Sequence, residues 1–136
     1  MTRASHAFQL ITGGRFEGLT TTPGNDGDIL VGMPSTGGSQ IATAMSKGTR
    51  FQLYLALRMA GFLEFVEQHE PLPFIADDIM ETFDDDRSRE TFQLLGELAQ
   101  TGQVIYLTHH AHLCEIARDV CGDSVSLHEL PDPLAA

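Results

Sequence analysis

Three short clusters carry residue types able to do chemistry. Phe74-Ile75-Ala76-Asp77-Asp78 runs three apolar residues into two carboxylates. At the end of a strand, one carboxylate can reach a divalent cation through its water shell, and its neighbour can polarise an attacking water. The same pair also fits a strand capped by solvated aspartates. Met45-Ser46-Lys47-Gly48-Thr49-Arg50 precedes a long apolar stretch. Small residues around a serine at a helix start leave backbone N–H groups pointing outward, which suits a phosphate. An ordinary serine N-cap is the plainer reading. Thr108-His109-His110, with His112 close by, could bond a phosphate or a water. It could equally be a half-buried cluster at a helix start, or a metal site shared with Asp77 and Asp78. The glycine-rich run Ser35-Thr36-Gly37-Gly38-Ser39-Gln40 opens onto no strongly apolar helix and reads as loop.

These clusters need elements to hold them. Residues 4–12 before Gly13-Gly14 fit the last turns of a glycine-stopped helix, or a short strand before a tight turn. Phe16 to Thr20 and Asp28 to Val31 are β-like and flank the turn formers Pro23-Gly24-Asn25-Asp26-Gly27, which suggests an antiparallel hairpin. Residues 33–40 read as an irregular loop. From about Gly48 to Gln68, apolar residues cover most of the circumference, so this helix is expected to be largely buried and ended by Pro71 and Pro73. The pattern then becomes βαβα. Residues 73–76 form a strand, 86–101 an amphipathic helix stopped by Gly102, and 104–107 a second strand. Leu113, Ile116, Ala117 and Val120 recur at helical spacing. Val125, Leu127 and Leu130 alternate as a final edge strand, and 131–136 read as a tail.

Two apolar strands joined by a helix imply a parallel pair. Ligands of such sheets bind outside the carboxyl ends of the strands. Asp77-Asp78 and Thr108-His109-His110 fall at those two ends, so they are expected to be spatial neighbours although about thirty residues apart.

Composition bounds the possibilities. A chain of 136 residues is one domain and buries roughly 68% of its extended surface. No run approaches the roughly 18 apolar residues of a membrane span, and the first residues carry no secretory apolar segment. The net charge is −11, with Lys47 the single lysine, which makes the chain a poor nucleic-acid binder on its own. Cys114 and Cys121 form no CxxC and no disulfide framework, so a reducing cytoplasm is the expected setting.

The ordered set resembles the C-terminal lobe of an ABC-type ATPase head of the SMC/RecN class, nearest to the YhaN-like coiled-coil ATPases. Residues 45–50 stand where the signature loop would be, and Thr49 to Arg58 look especially YhaN-like. Residues 74–78 stand for Walker B, 83–85 for the D-loop, and 108–110 for the switch histidine. The resemblance covers roughly residues 4–130. It implies an α/β fold, the C-terminal half of a P-loop NTPase, with a parallel βαβ core and a small N-terminal β-hairpin. Residues 1–13 would end a coiled-coil helix and 14–130 would form the lobe. Lys47 replaces a signature glycine, Thr49 replaces Gln or Glu, and Asp78 replaces the usual glutamate. No Gly-x-x-x-x-Gly-Lys-Ser/Thr occurs, so no P-loop is present to cradle phosphates. A P-loop lobe from the same longer polypeptide or from another chain is therefore the expected partner.

The resemblance further implies ATP and Mg²⁺ as cofactors at a head–head dimer interface. Asp77 would hold the metal, Asp78 would act on the water, and His109 or His110 would contact the γ-phosphate. Ser46, Lys47, Gly48 and Thr49 would reach the nucleotide of the opposite head, and Asp84 would pass a contact between heads. DNA repair or chromosome maintenance is the implied process, with any DNA contact made by other parts of the protein, and no membrane is involved. Two other readings remain open. One is a non-catalytic docking domain. The other is a Zn²⁺- or Mn²⁺-dependent hydrolase using Asp77, Asp78, His109 and His110.

Overall fold

The computed structural model describes residues 1–25 and 27–131. Helix α1 (Thr2–Ile11) buries Ala4, Ala7, Phe8 and Ile11 along one stripe, the spacing of a single helix face. It ends in a left-handed stop. The Gly13 N–H donates to Leu10 O at 2.8 Å and the Gly14 N–H to Gln9 O at 2.9 Å, with φ of 60° and 73° at the two glycines. That pairing satisfies carbonyls the helix leaves open. The helical alternative for residues 4–12 is therefore the one observed.

Strands β1 (Phe16–Gly24) and β2 (Gly27–Pro34) form the antiparallel hairpin, with Gly24 opposite Gly27. Both run longer than the apolar residues alone suggest. Inside residues 33–40 there is more order than a loop. Strand β2 continues to Pro34, and a two-residue β3 (Gln40–Ile41) pairs with Gly32 and Val31. Gly32 is required here: a Cβ would lie 2.6 Å from Met45 Cε and 2.9 Å from the Phe16 ring. The three-stranded sheet thus presses directly on Met45, the residue before the N-cap of the next helix.

Helix α2 (Lys47–Val66) begins at an N-cap, where Ser46 Oγ accepts the Thr49 N–H at 3.2 Å. Its buried side carries Thr49, Gln52, Leu53, Leu55, Ala56 and Met59. Fully buried Gln52 donates to the α1 carbonyl of Ile11 at 2.7 Å and accepts from Arg15 at 3.3 Å. The expectation of a largely buried helix is corrected, because Phe51, Tyr54 and Phe65 are exposed. Apolar residues around the whole circumference specify that the helix can be covered, and the elements of this chain cover one side of it. The helix closes at Val66, before either proline.

Strand β4 (Phe74–Asp77), helix α3 (Asp85–Leu98) and strand β5 (Val104–Leu107) form the βαβ unit. The strands are parallel, in the register Phe74–Val104 through Asp77–Leu107. Phe74 and Ala76 point into the core, whereas Ile75 and Asp77 are exposed. Arg58 of α2 donates to Ile75 O at 2.9 Å and lies over the Phe74 ring. Asp84 caps α3 by accepting the Arg87 N–H at 2.9 Å. Asp85 and Asp86 in the first turn favour the positive end of the helix dipole. Helix α4 (Ala111–Cys121) buries Leu113, Ile116 and Ala117 against this layer, with Val120 partly buried.

The expected final strand is absent. A short 3-10 turn (Gly122–Ser124) follows α4, and residues 125–131 are irregular. Leu127 and Leu130 are exposed and pair with no strand among the described residues; alternation over so few residues sets no register without a neighbouring edge. Of the expected tail, residues 132–136 lie outside the described residues. One continuous core joins α1, β1, α2, β4, α3 and α4. Among the described residues no helix is long and apolar enough to cross a membrane.

Candidate functional site

The site starts where the parallel strands end. The Asp78 N–H donates to Leu107 O at 2.8 Å, which extends the β4–β5 ladder by one bond. The backbone then turns: Asp78 has φ 49°, the one described non-glycine residue at positive φ. Asp and Asn tolerate this left-handed region better than longer side chains. The turn brings the Asp78 carboxylate across the end of β5.

Both carboxylate oxygens are engaged there. Thr108 Oγ1 donates to Asp78 Oδ1 at 3.0 Å, and His109 Nδ1 lies 2.9 Å from Asp78 Oδ2. Thr108 Oγ1 also accepts the His110 N–H at 3.1 Å, at the N-cap position of α4. One hydroxyl therefore ties the start of α4 to the carboxylate. Asp78 is 24% exposed and His109 71%. With Nδ1 turned to Asp78, the second nitrogen of His109 is the one left for a ligand. The His109 and His110 rings sit 4.0 Å apart, and His112 is 5.6 Å beyond His110. His110 Nε2 is buried without a hydrogen-bond partner among the described residues.

Tyr106 of β5 lies beside the site. Tyr106 packs edge-on against Phe92 at 5.2 Å. Burial, with a smaller contribution from the Asp78 charge, pushes its phenol up to about 12. Tyr106 therefore stays a neutral hydroxyl under physiological conditions.

The expected neighbours at the two strand ends, Asp78 and Thr108-His109-His110, are brought together. Asp77 is adjacent in sequence, but alternation along β4 puts it on the exposed face with Ile75. Asp78, His109 and His110 each offer a ligand atom within 4.8 Å of the others, and that group does not include Asp77. The other predicted residues form two separate surfaces. Ser46 and Thr49 bond to each other at 2.9 Å across the first turn of α2. Lys47 is exposed, and nothing lies within 4 Å of where a Gly48 Cβ would stand. Asp84 bonds only locally among the described residues, to the Arg87 N–H and to Arg87 Nε at 3.4 Å.

Sequence reasoning named Thr108 but did not reveal it as the hub. A threonine directly after an apolar strand and two residues before a helix start is the signal that could have. It did not find Tyr106, which reads as one more apolar residue of β5.

No family model matches the chain. In sequence it is similar to the uncharacterized protein YhaN of Bacillus subtilis (strain 168), with 34% identity over 112 residues. That match takes in 81% of this chain and 11% of YhaN, so the chain spans about a tenth of that relative. In structure it resembles the Smc head domain of Pyrococcus furiosus, which was solved with an extended coiled coil and bound to the C-terminal domain of ScpA. The TM-score is 0.64 at 22% identity, covering 85% of this chain and 29% of that one. It also resembles a chain from structural work on ATP-driven dimerization and DNA-stimulated activation of SMC ATPases. Here the TM-score is 0.59 at 20% identity, covering 85% of this chain and 73% of that one. The chain therefore has the α/β fold of an SMC-type ATPase head and is YhaN-like in sequence.

Proposed function

We propose that this chain is the C-terminal lobe of an ABC/SMC-type ATPase head, which hydrolyses ATP only together with a P-loop lobe and a second head. The observation that carries the reading is the Asp78–Thr108–His109 constellation at the carboxyl ends of parallel strands, set in a fold shared with SMC heads. Asp78, with one oxygen held by Thr108, orients and polarises the attacking water. His109 offers its free nitrogen to the γ-phosphate. Asp77 is exposed at the strand end and makes no side-chain hydrogen bond or ion pair among the described residues. Its oxygens suit a hard cation. Bound there, Mg²⁺ would neutralise phosphate charge. Ser46, Lys47, Gly48 and Thr49, at the positive end of α2, meet the nucleotide of the opposite head. Asp84 relays a contact between the heads. Such a division suits phosphoryl transfer, which needs mainly positioning and charge neutralisation.

The head would serve DNA repair or chromosome maintenance. With a net charge of −11, DNA contact falls to other parts of the assembly. The test is phosphate release from ATP and Mg²⁺ when the chain is combined with a P-loop lobe. The expected result is hydrolysis by the combination, none by the chain alone, and a loss of about 100-fold or more in Asp78→Asn. A combination that assembles but is indifferent to Asp78→Asn would make the chain a docking module.

A further inference from the structure

We propose that Asp78, His109 and His110 form a binding site for a borderline transition-metal dication, Zn²⁺ foremost, separate from any Mg²⁺ held by Asp77. Three observations support it. The three residues present ligand atoms within 4.8 Å of one another. Tetrahedral coordination at about 2.0–2.1 Å separates donor atoms by about 3.3 Å, and the 2.9 Å between Asp78 Oδ2 and His109 Nδ1 is about 0.4 Å from that. The His109 side chain is 71% exposed, which leaves it room to rotate and widen that gap. Finally, His110 Nε2 is buried with no partner among the described residues, and a buried imidazole nitrogen in that condition calls for one.

The donor set selects the class of ion. Two imidazoles and one carboxylate favour zinc-type ions, whereas Mg²⁺ prefers oxygen ligands and its own waters. The outer contacts of such a site are already in place. Thr108 Oγ1 bonds the other oxygen of Asp78, which fixes the carboxylate and leaves Oδ2 to the metal. Three protein ligands leave a fourth position open to water.

Occupancy takes Asp78 Oδ2, the oxygen that Thr108 leaves for the water, out of use, so a zinc-loaded lobe is an off state of the head. That consequence rests on the ATPase reading. The site itself does not, and the experiment reads metal binding alone.

The full chain, stripped of metal, is titrated with Zn²⁺ against a chromogenic chelator and, separately, with Co²⁺ by visible absorption. We expect one equivalent of Zn²⁺ to bind, with Mg²⁺ in large excess failing to displace it. His109→Gln, His110→Gln and Asp78→Asn should each weaken binding about tenfold or more, with circular dichroism unchanged. Cys114→Ser/Cys121→Ser should bind as the parent does, and bound Co²⁺ should show the strong visible bands of a four-coordinate site. No binding, or binding that the three site substitutions leave intact, overturns the proposal. So does loss of binding in the cysteine double variant. Failure of zinc binding would leave the ATP experiment untouched, and failure of hydrolysis would leave this one untouched.

Discussion

Asp78 sits where the backbone is costly for most side chains. With φ at 49°, a residue that cannot bond locally loses roughly 1 kcal/mol relative to glycine. Aspartate is tolerated there, and it is one methylene shorter than the glutamate that the resemblance leads one to expect. We predict that Asp78→Glu lowers stability by about 0.5–1 kcal/mol while Asp78→Asn changes it less, measured by urea unfolding. Thr108 offers a second test. Thr108→Val keeps the shape but removes the hydroxyl that bonds Asp78 Oδ1 and the His110 N–H. The expected cost is about 1–2 kcal/mol. Tyr106 gives a pH test. Its folded pKa is raised from 10.0 to about 12, so between those values the unfolded chain releases the proton and the folded chain keeps it. Stability should therefore be intact below about pH 10 and fall as the pH rises toward 12. Phenolate absorbance of the folded chain, in a Tyr54→Phe background, should rise late.

At the scale of elements, two caps do structural work that can be separated from any catalytic role. Ser46→Ala and Asp84→Ala should each cost about 1 kcal/mol, because each removes the acceptor of a first-turn N–H. Asp84→Ser retains an N-cap acceptor. It should restore stability, and if Asp84 relays a contact between heads it should leave hydrolysis by the combined head impaired. The elements were largely legible in the sequence. The βαβ unit showed because an apolar run, an amphipathic helix and a second apolar run need only local periodicity. The meeting of Asp78 with His109 followed from parallel topology. Long-range partners were not legible. Whether α2 is covered on one side or all round depends on what packs against it. A final strand needs an edge to join, and Leu127 and Leu130 have none among the described residues. The burial of His110 Nε2 depends on how the start of α4 folds back at the strand end, which no local pattern reports.

At the scale of the molecule, the described residues cover the β4–β5 sheet on one side only. Ile75 is 50% exposed and Leu107 39%, while Phe74 and Ala76 face the core. Tyr54 is 69% exposed, with Phe51 also open on α2. Scattered apolar side chains are ordinary on a surface, but an open sheet face beside an open helix face is what a docking lobe would cover. Ile75→Asp should leave the unfolding midpoint nearly unchanged and weaken association with a P-loop lobe at least about tenfold, read by titration of one into the other. Equal loss of stability and association would mean that the residue serves this chain's own fold.

The bonding of Thr108 also has a polarity. Its hydroxyl has one hydrogen, and that hydrogen is directed at Asp78 Oδ1, while its lone pair receives the amide of His110. The little circuit has a direction, and reversing it would leave a backbone N–H facing another donor. With Oδ1 held by the hydroxyl, Oδ2 is the oxygen turned to His109. A single threonine thereby decides which edge of the carboxylate faces the histidine.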